Sequence, residues 1–183
     1  MKKNQGMASN RKKVYLRHPN EDDFPELLEI YRTSRDHFRG VMNTEYDRSA
    51  FDRMLADAEK DANEYFVICR SEDDVIAGTI NLSQIFRKAF QNAYLGYALG
   101  VNFTGNGYMT QAVALALKFA FDDLKLHRVE ANVQPSNLPS IAVLRRNGFA
   151  KEGVSRRYLK IGGRWRDHER WAIIREDWKP AKF

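Results

Sequence analysis

The chain has 183 residues, 43% of them apolar and 12% aromatic, with a net charge of +6. That length suits one domain with one sizeable core, and the composition argues for a folded globule rather than a disordered chain. No apolar run approaches roughly 18 residues, the N-terminus lacks an apolar signal core, and Cys69 is the only cysteine; these features exclude a transmembrane helix, argue against secretion, rule out an internal disulfide and fit a reducing cytoplasm.

The positive charge is local. Lys2, Lys3, Arg11, Lys12 and Lys13 fall in residues 1–13, which hold no acid, and the other 170 residues carry about +1. Residues 1–13 are expected to form a polar, unstructured tail, with Met7 as an alternative start. The expected domain spans residues 14–178, followed by a short tail at 179–183. A near-neutral domain does not predict direct nucleic-acid binding, and the tail reads as solubilising, with electrostatic contact to RNA or acidic surfaces, as in a ribosome-associated RNA binder, the alternative.

In chain order, Val14–Arg17 predicts an opening strand. Asn20 predicts an N-cap, with Glu21, Asp22 and Asp23 in the first turn of a helix whose apolar face is Leu27, Leu28, Ile30 and Tyr31. A second helix is expected over about Ser49–Lys60, where Phe51, Met54 and Leu55 repeat at helical spacing. Glu64–Arg70 and Val75–Leu82 predict a hairpin joined by the polar turn Ser71-Glu72-Asp73-Asp74. Cys69 lies in the first of these strands and is expected to be a buried small hydrophobe.

The apolar strand Tyr94–Leu99 then runs through Asn102-Phe103-Thr104-Gly105-Asn106-Gly107 into a long amphipathic segment, Met109–Leu124. A strand entering a helix through a Gly-x-Gly turn presents free backbone N–H groups at the positive end of a helix dipole, an anion site that suits phosphate. A dinucleotide fingerprint fails, because Thr110 stands where a third glycine is needed. A triphosphate P-loop fails for want of a Gly-Lys-Ser/Thr.

Downstream, Arg128–Val133 alternates as a strand, with Val129, Ala131 and Val133 on one face and Glu130 and Asn132 on the other. Asn137 occupies an N-cap position with Pro139 in the first turn, and Ser140 lies three residues on. Ile141, Leu144 and Arg145 fall at helical spacing, and Asn147-Gly148 ends the helix. Ala150–Ile161 and Trp165–Ile174 predict two strands turning at Gly162-Gly163. The order predicts a mixed α/β (α+β) domain in packed layers.

The two motifs together resemble the GNAT family of acetyl-CoA-dependent N-acetyltransferases. The likeness runs from about Val14 to Trp178. Asn102–Gly107 matches the glycines of the family's R/Q-x-x-G-x-G/A turn, and Asn137, Ser140 and Gly148-Phe149 match its N-x-x-[SA] and Gly-Phe signals. Tyr94–Tyr97, Gly107–Thr110, Leu126-His127-Arg128, Glu152-Gly153 and Gly163–His168 look like the ribosomal-protein alanine N-acetyltransferase branch. The resemblance implies a central mixed, twisted sheet whose two parallel strands splay apart. It implies acetyl-CoA as cofactor, its pyrophosphate on the amides of Gly105, Asn106, Gly107, Tyr108 and Met109, and its pantetheine along Leu99, Gly100 and Val101. It further implies that Asn137 bonds the pantetheine and that Ser140 donates to the leaving sulfur, with Tyr158 as a substitute donor. No metal site is implied. Asn102 and Thr104 depart from the family's basic or amide residues, which leaves the phosphates to backbone amides or to Arg145 or Arg146.

The general base stays open. Relatives place a glutamate at the position of Asn132 or of Leu159, and neither is a carboxylate here. Glu130 is a candidate acting through water. Asp167 and His168 are others, although neighbours on a strand face opposite ways and cannot pair as a dyad. A site without a strong base suits an acceptor of low pKa. Near neutral pH about one protein α-amine in six to ten is uncharged, against about one lysine in 2,500. The expected acceptor is therefore the N-terminal α-amine of a protein starting with Ala or Ser, a ribosomal protein by resemblance. A small amine such as a polyamine, amino acid or antibiotic is the alternative, and a CoA-sensing module without turnover is a further one.

Overall fold

Strand alternation and two helical stripes build the architecture. The computed structural model describes residues 12–42 and 44–181, so most of the expected N-terminal tail lies outside the described residues. The strands are β1 (Val14–Arg17), β2 (Glu64–Arg70), β3 (Ile76–Phe86), β4 (Asn92–Leu99), β5 (Arg128–Val133), β6 (Ala150–Ile161) and β7 (Arg164–Ile174). They form one sheet in the order β1-β2-β3-β4-β5-β7-β6. Every pairing is antiparallel except β4 with β5, which is parallel. The helices are α1 (Phe24–Thr33), α2 (Arg35–Phe38), α3 (Arg48–Ala58), α4 (Tyr108–Lys118) and α5 (Leu138–Arg146).

The period of two along the strands sorts side chains onto two faces. On one face Phe66, Ile68, Leu95, Val129, Ala131, Val133 and Trp171 meet the buried stripe of α4 and α5, which includes Val113, Leu117, Ile141 and Leu144. On the other, Val67, Cys69 and Ile76 pack against Leu27, Ile30 and Phe51 of α1 and α3. Each large apolar side chain so buried stabilises the fold by about 1.5–3 kcal/mol relative to exposure. Cys69 is part of this second core, and burial pushes its thiol up, away from the reactive thiolate.

Three elements differ from the sequence expectation. The segment expected as one helix over Met109–Leu124 is α4 followed by a π-helical turn at Phe119–Asp123, in which the Leu124 N–H reaches the Phe119 carbonyl. The wider turn lets Phe119 pack edge-on to Phe66 while Phe121 meets Trp178. The single-turn helix α2 gave no sequence signal; it begins beside Ser34, which is fully buried and accepts the Val101 N–H on Oγ at 2.9 Å. Asp23, expected only as a first-turn acid, is buried and gripped by Arg17 through two hydrogen bonds of 2.8 and 2.6 Å. Among the described residues no helix is long and apolar enough to cross a membrane.

Candidate active site

The parallel pair creates the site by stopping early. β4 and β5 pair only from Asn92↔Arg128 to Tyr94↔Glu130. Beyond Tyr94, β4 stays on β3 as far as Leu99, while β5 stays on β7 as far as Val133. The sheet therefore opens between the C-terminal halves of two neighbouring parallel strands. The Gly100 N–H is bonded to the Ala77 carbonyl at 2.9 Å. Ladder alternation then turns the N–H groups of Tyr97 and Leu99 toward the gap.

At the end of β4 the chain makes a single 3-10 turn, Val101–Phe103, and then the Gly-x-Gly turn. Gly105 and Gly107 have φ of +79° and +78°, and a Cβ built on either meets nothing within 4 Å. Left-handed backbone in open space is what glycine supplies at no cost. The Asn106 side chain folds back onto the carbonyls of Phe103 and Thr104, so it does not cap the helix. Gln111 is the first residue whose N–H bonds into α4, to the Gly107 carbonyl at 3.2 Å, and no side chain caps the N-terminus. The amides of Gly105 to Thr110 thus face outward without partners among the described residues. This donor set fits a phosphate group.

A cavity of about 620 Å³ passes through the opening of the sheet. On the α5 side it is lined by Tyr97, Asn137 and Ser140; on the α1 and α3 side by Tyr31, Tyr46, Tyr65, Asn81, Asn132 and His168. Asn137 caps α5 by accepting the Ser140 N–H on Oδ1 at 3.2 Å. The Ser140 hydroxyl lies 2.7 Å from the Tyr97 hydroxyl. Burial pushes the Tyr97 phenol up to about 12, against a smaller opposing effect of Ser140. Tyr97 is therefore protonated near neutral pH and has the Ser140 Oγ, and the Ser140 carbonyl at 3.4 Å, as acceptors. With Tyr97 donating, Ser140 keeps its own proton for a third partner in the cavity.

The remaining expected site residues divide. Leu99 has its N–H on the gap side, but the amides expected from Gly100 and Val101 are committed to Ala77 and Ser34. Glu130 does not line the cavity. It binds Arg128 at 2.8 Å, and Arg128 also grips Glu152. Arg145 stands over the Trp171 ring at 5.5 Å. Asp167 accepts the Arg157 N–H at 2.7 Å, while His168 is buried, so the two do face apart. Tyr158 is exposed on β6, its ring 6.0 Å from that of His168.

Two features escaped the sequence reading. Tyr97 was visible as part of an apolar strand and of the branch likeness but not as a partner of Ser140, because their meeting, 43 residues apart, depends on the splay. Lys13, assigned to the tail, is held by its backbone to Ser71 and Gln111, and its Nζ lies 3.1 Å from the Asn106 carbonyl. Together with Lys12 and Arg70 it flanks the turn at a second cavity of about 530 Å³. These residues put cations beside a turn that lacks its own.

The family model described as an acetyltransferase (GNAT) domain matches residues 13–150. A probable N-acetyltransferase of Bacillus subtilis, YjcK, is 39% identical over 174 residues, covering 91% of this chain and 96% of the relative. The solved structure of Mycobacterium smegmatis RimJ in complex with CoA-disulfide superposes with a TM-score of 0.82 at 32% identity, covering 89% of this chain and 82% of that one. The ribosomal-protein-S5-alanine acetyltransferase of Vibrio fischeri gives 0.81 at 30% identity, covering 93% and 97%.

Proposed function

This chain belongs to the GNAT acetyltransferase family, and from that premise we propose that it transfers the acetyl group of acetyl-CoA to the N-terminal α-amine of a protein starting with Ala or Ser, a ribosomal protein among them. The observation that carries this reading is the cavity running through the opened sheet. It joins the face where Asn137 and Ser140 lie, the cofactor side in this reading, to a second face lined by tyrosines. Two reactants entering from opposite sides would meet there, and their orientation supplies much of the rate.

Acetyl-CoA, when bound, supplies an activated thioester. The amides of Gly105 to Thr110 would hold its pyrophosphate, with Lys12, Lys13 and Arg70 adding positive charge. The gap-facing N–H groups of Tyr97 and Leu99 would bond the pantetheine arm. Ser140, supported by Tyr97, would donate to the leaving sulfur. Tyr31, Tyr46 and Tyr65 would surround the incoming chain end, and Tyr31 and Tyr46 already stack at 4.0 Å. In this reading the acetyltransferase domain runs over residues 14–178, with Lys12 and Lys13 added to its site.

Thiol release from acetyl-CoA tests the reading. Wild type should release CoA with Ala- and Ser-starting peptides, and the Asn137→Ala, Ser140→Ala double variant should not. Peptides left unmodified while a small amine is acetylated would transfer the assignment to small-molecule acceptors. Binding of acetyl-CoA with no turnover on any amine would make the protein a CoA-binding module.

A further inference from the structure

His168 is the one imidazole lining the cavity, and it is 2% exposed. Its Nδ1 lies 3.1 Å from the Arg166 carbonyl. A carbonyl only accepts, so Nδ1 carries the proton and, in the neutral ring, Nε2 carries the lone pair. Nε2 has no hydrogen-bond partner among the described residues. Nor is it one of the sealed, unpartnered atoms, which are Tyr46 Oη, both polar side-chain atoms of Asn92, and Arg166 Nε. Nε2 is thus neither bonded nor sealed, on a residue that lines the cavity.

Its placement suits one task. Residues two apart on a strand share a face, and Asn132 pairs with Arg170, so His168 lies on the sheet face that carries Asn132. Trp171, of opposite parity on β7, packs with α5 on the other face. His168 and Ser140 therefore border the opening from its two sides. Of the other bases the sequence offered, Glu130 is held by Arg128 and Asp167 by the Arg157 N–H, and neither lines the cavity.

We propose that His168 is the general base of acetyl transfer, accepting at Nε2 the proton that leaves the acceptor amine. The inference rests on the acetyl-transfer reading above. The amine nitrogen bonds the acetyl carbon, and the carbon–sulfur bond breaks with its electron pair on sulfur. The amine proton passes to Nε2. The thiolate, held by the Ser140 hydrogen bond, takes a proton from solvent, and His168 returns its own there. Arg166 and Arg170 share its face of β7, Tyr158 approaches from β6, and the other titratable residues of the cavity lining are Glu45, Tyr31, Tyr46 and Tyr65. Burial pushes Tyr31, Tyr46 and Tyr65 up, which keeps them neutral, and Glu45, an exposed residue, is the lone carboxylate of the lining.

The experiment is the pH dependence of kcat/KM for an Ala-starting peptide, in wild type and His168→Gln, between about pH 5.5 and 8.5. In wild type both the amine and the imidazole must be deprotonated, so kcat/KM should fall about 100-fold per pH unit at the acid end. The variant should lose roughly 10²–10⁴-fold in kcat and fall only about tenfold per unit, while isothermal titration shows unchanged acetyl-CoA binding. A variant within about threefold of wild type, or with the two-proton slope retained, would overturn the proposal. Should His168→Gln not fold, a one-proton slope in wild type alone overturns it. A wild type that acetylates no amine would remove the acetyl-transfer reading itself, and the role of His168 with it.

Discussion

Substituting Tyr97 by Phe removes one hydroxyl and leaves the ring in its packing. The lost contact is the 2.7 Å hydrogen bond to Ser140 Oγ. A neutral hydrogen bond of this kind contributes about 1 kcal/mol net, and a buried partner left short costs about 1–3 kcal/mol. Without Tyr97 the Ser140 hydroxyl is free to rotate toward other acceptors, so part of that cost falls on the step in which sulfur leaves. A loss of about 1–2 kcal/mol there lowers kcat roughly 5- to 30-fold. The acceptor KM should stay unchanged, because Tyr97 acts through Ser140 rather than on the peptide. The assay is CoA thiol release from saturating acetyl-CoA with an Ala-starting peptide, beside calorimetric melting of each variant. Ser140→Ala should lose more than Tyr97→Phe, and the double variant should match Ser140→Ala alone, since residues in one hydrogen-bond chain do not add. Unchanged kcat in Tyr97→Phe would refute the argument, as would a double variant whose loss is the product of the two single losses.

Gly107→Ala places a side chain at φ +78°, a strain of about 1–2 kcal/mol. The melting temperature should drop by about 2–8 °C, and acetyl-CoA affinity by titration should weaken at least about tenfold as the turn relaxes. Burial alone would raise the Asp23 carboxyl, but the Arg17 guanidinium and the Asn20 N–H hold it below its ordinary value. A carboxylate with a depressed folded pKa contributes stability that is fully present above its unfolded pKa, near 3.9, and is lost as pH falls through the folded value. Asp23→Asn should therefore cost about 2 kcal/mol in urea melts at neutral pH, with the difference from wild type shrinking below about pH 4. A constant difference down to the lowest pH at which wild type folds would contradict this.

The elements that announce themselves by local chemistry were legible in the sequence. The Asn137 cap, the Gly-x-Gly turn and the alternation of Val129, Ala131 and Val133 each follow from residue type at a fixed spacing, and each stands where expected. Contacts that depend on tertiary geometry were not legible. The stop in β4–β5 pairing after Tyr94 has no residue signature, yet it lets Tyr97 meet Ser140; nor does any local signal show that Gly100 and Val101 spend their amides on Ala77 and Ser34. Glu130 was attractive because it shares a face with Asn132. Its capture by Arg128 two residues away lies along the same strand face, but the link onward to Glu152 needs the third strand, β6. Charge counting assigned Lys13 to the tail, although it stands one residue before β1 and its backbone extends the β1 edge toward Ser71.

The central claim is the chemical identity of the acceptor. Two peptides of the same sequence, beginning with Ala and carrying an internal lysine, one with a free and one with a blocked N-terminus, should be incubated with acetyl-CoA and the enzyme, and the acetyl group located by fragmentation mass spectrometry. The account predicts a single acetyl group on the α-amine of the free peptide and none on the blocked one. Acetylated lysine in both peptides, or no acetyl group on either while a polyamine is consumed, would contradict it.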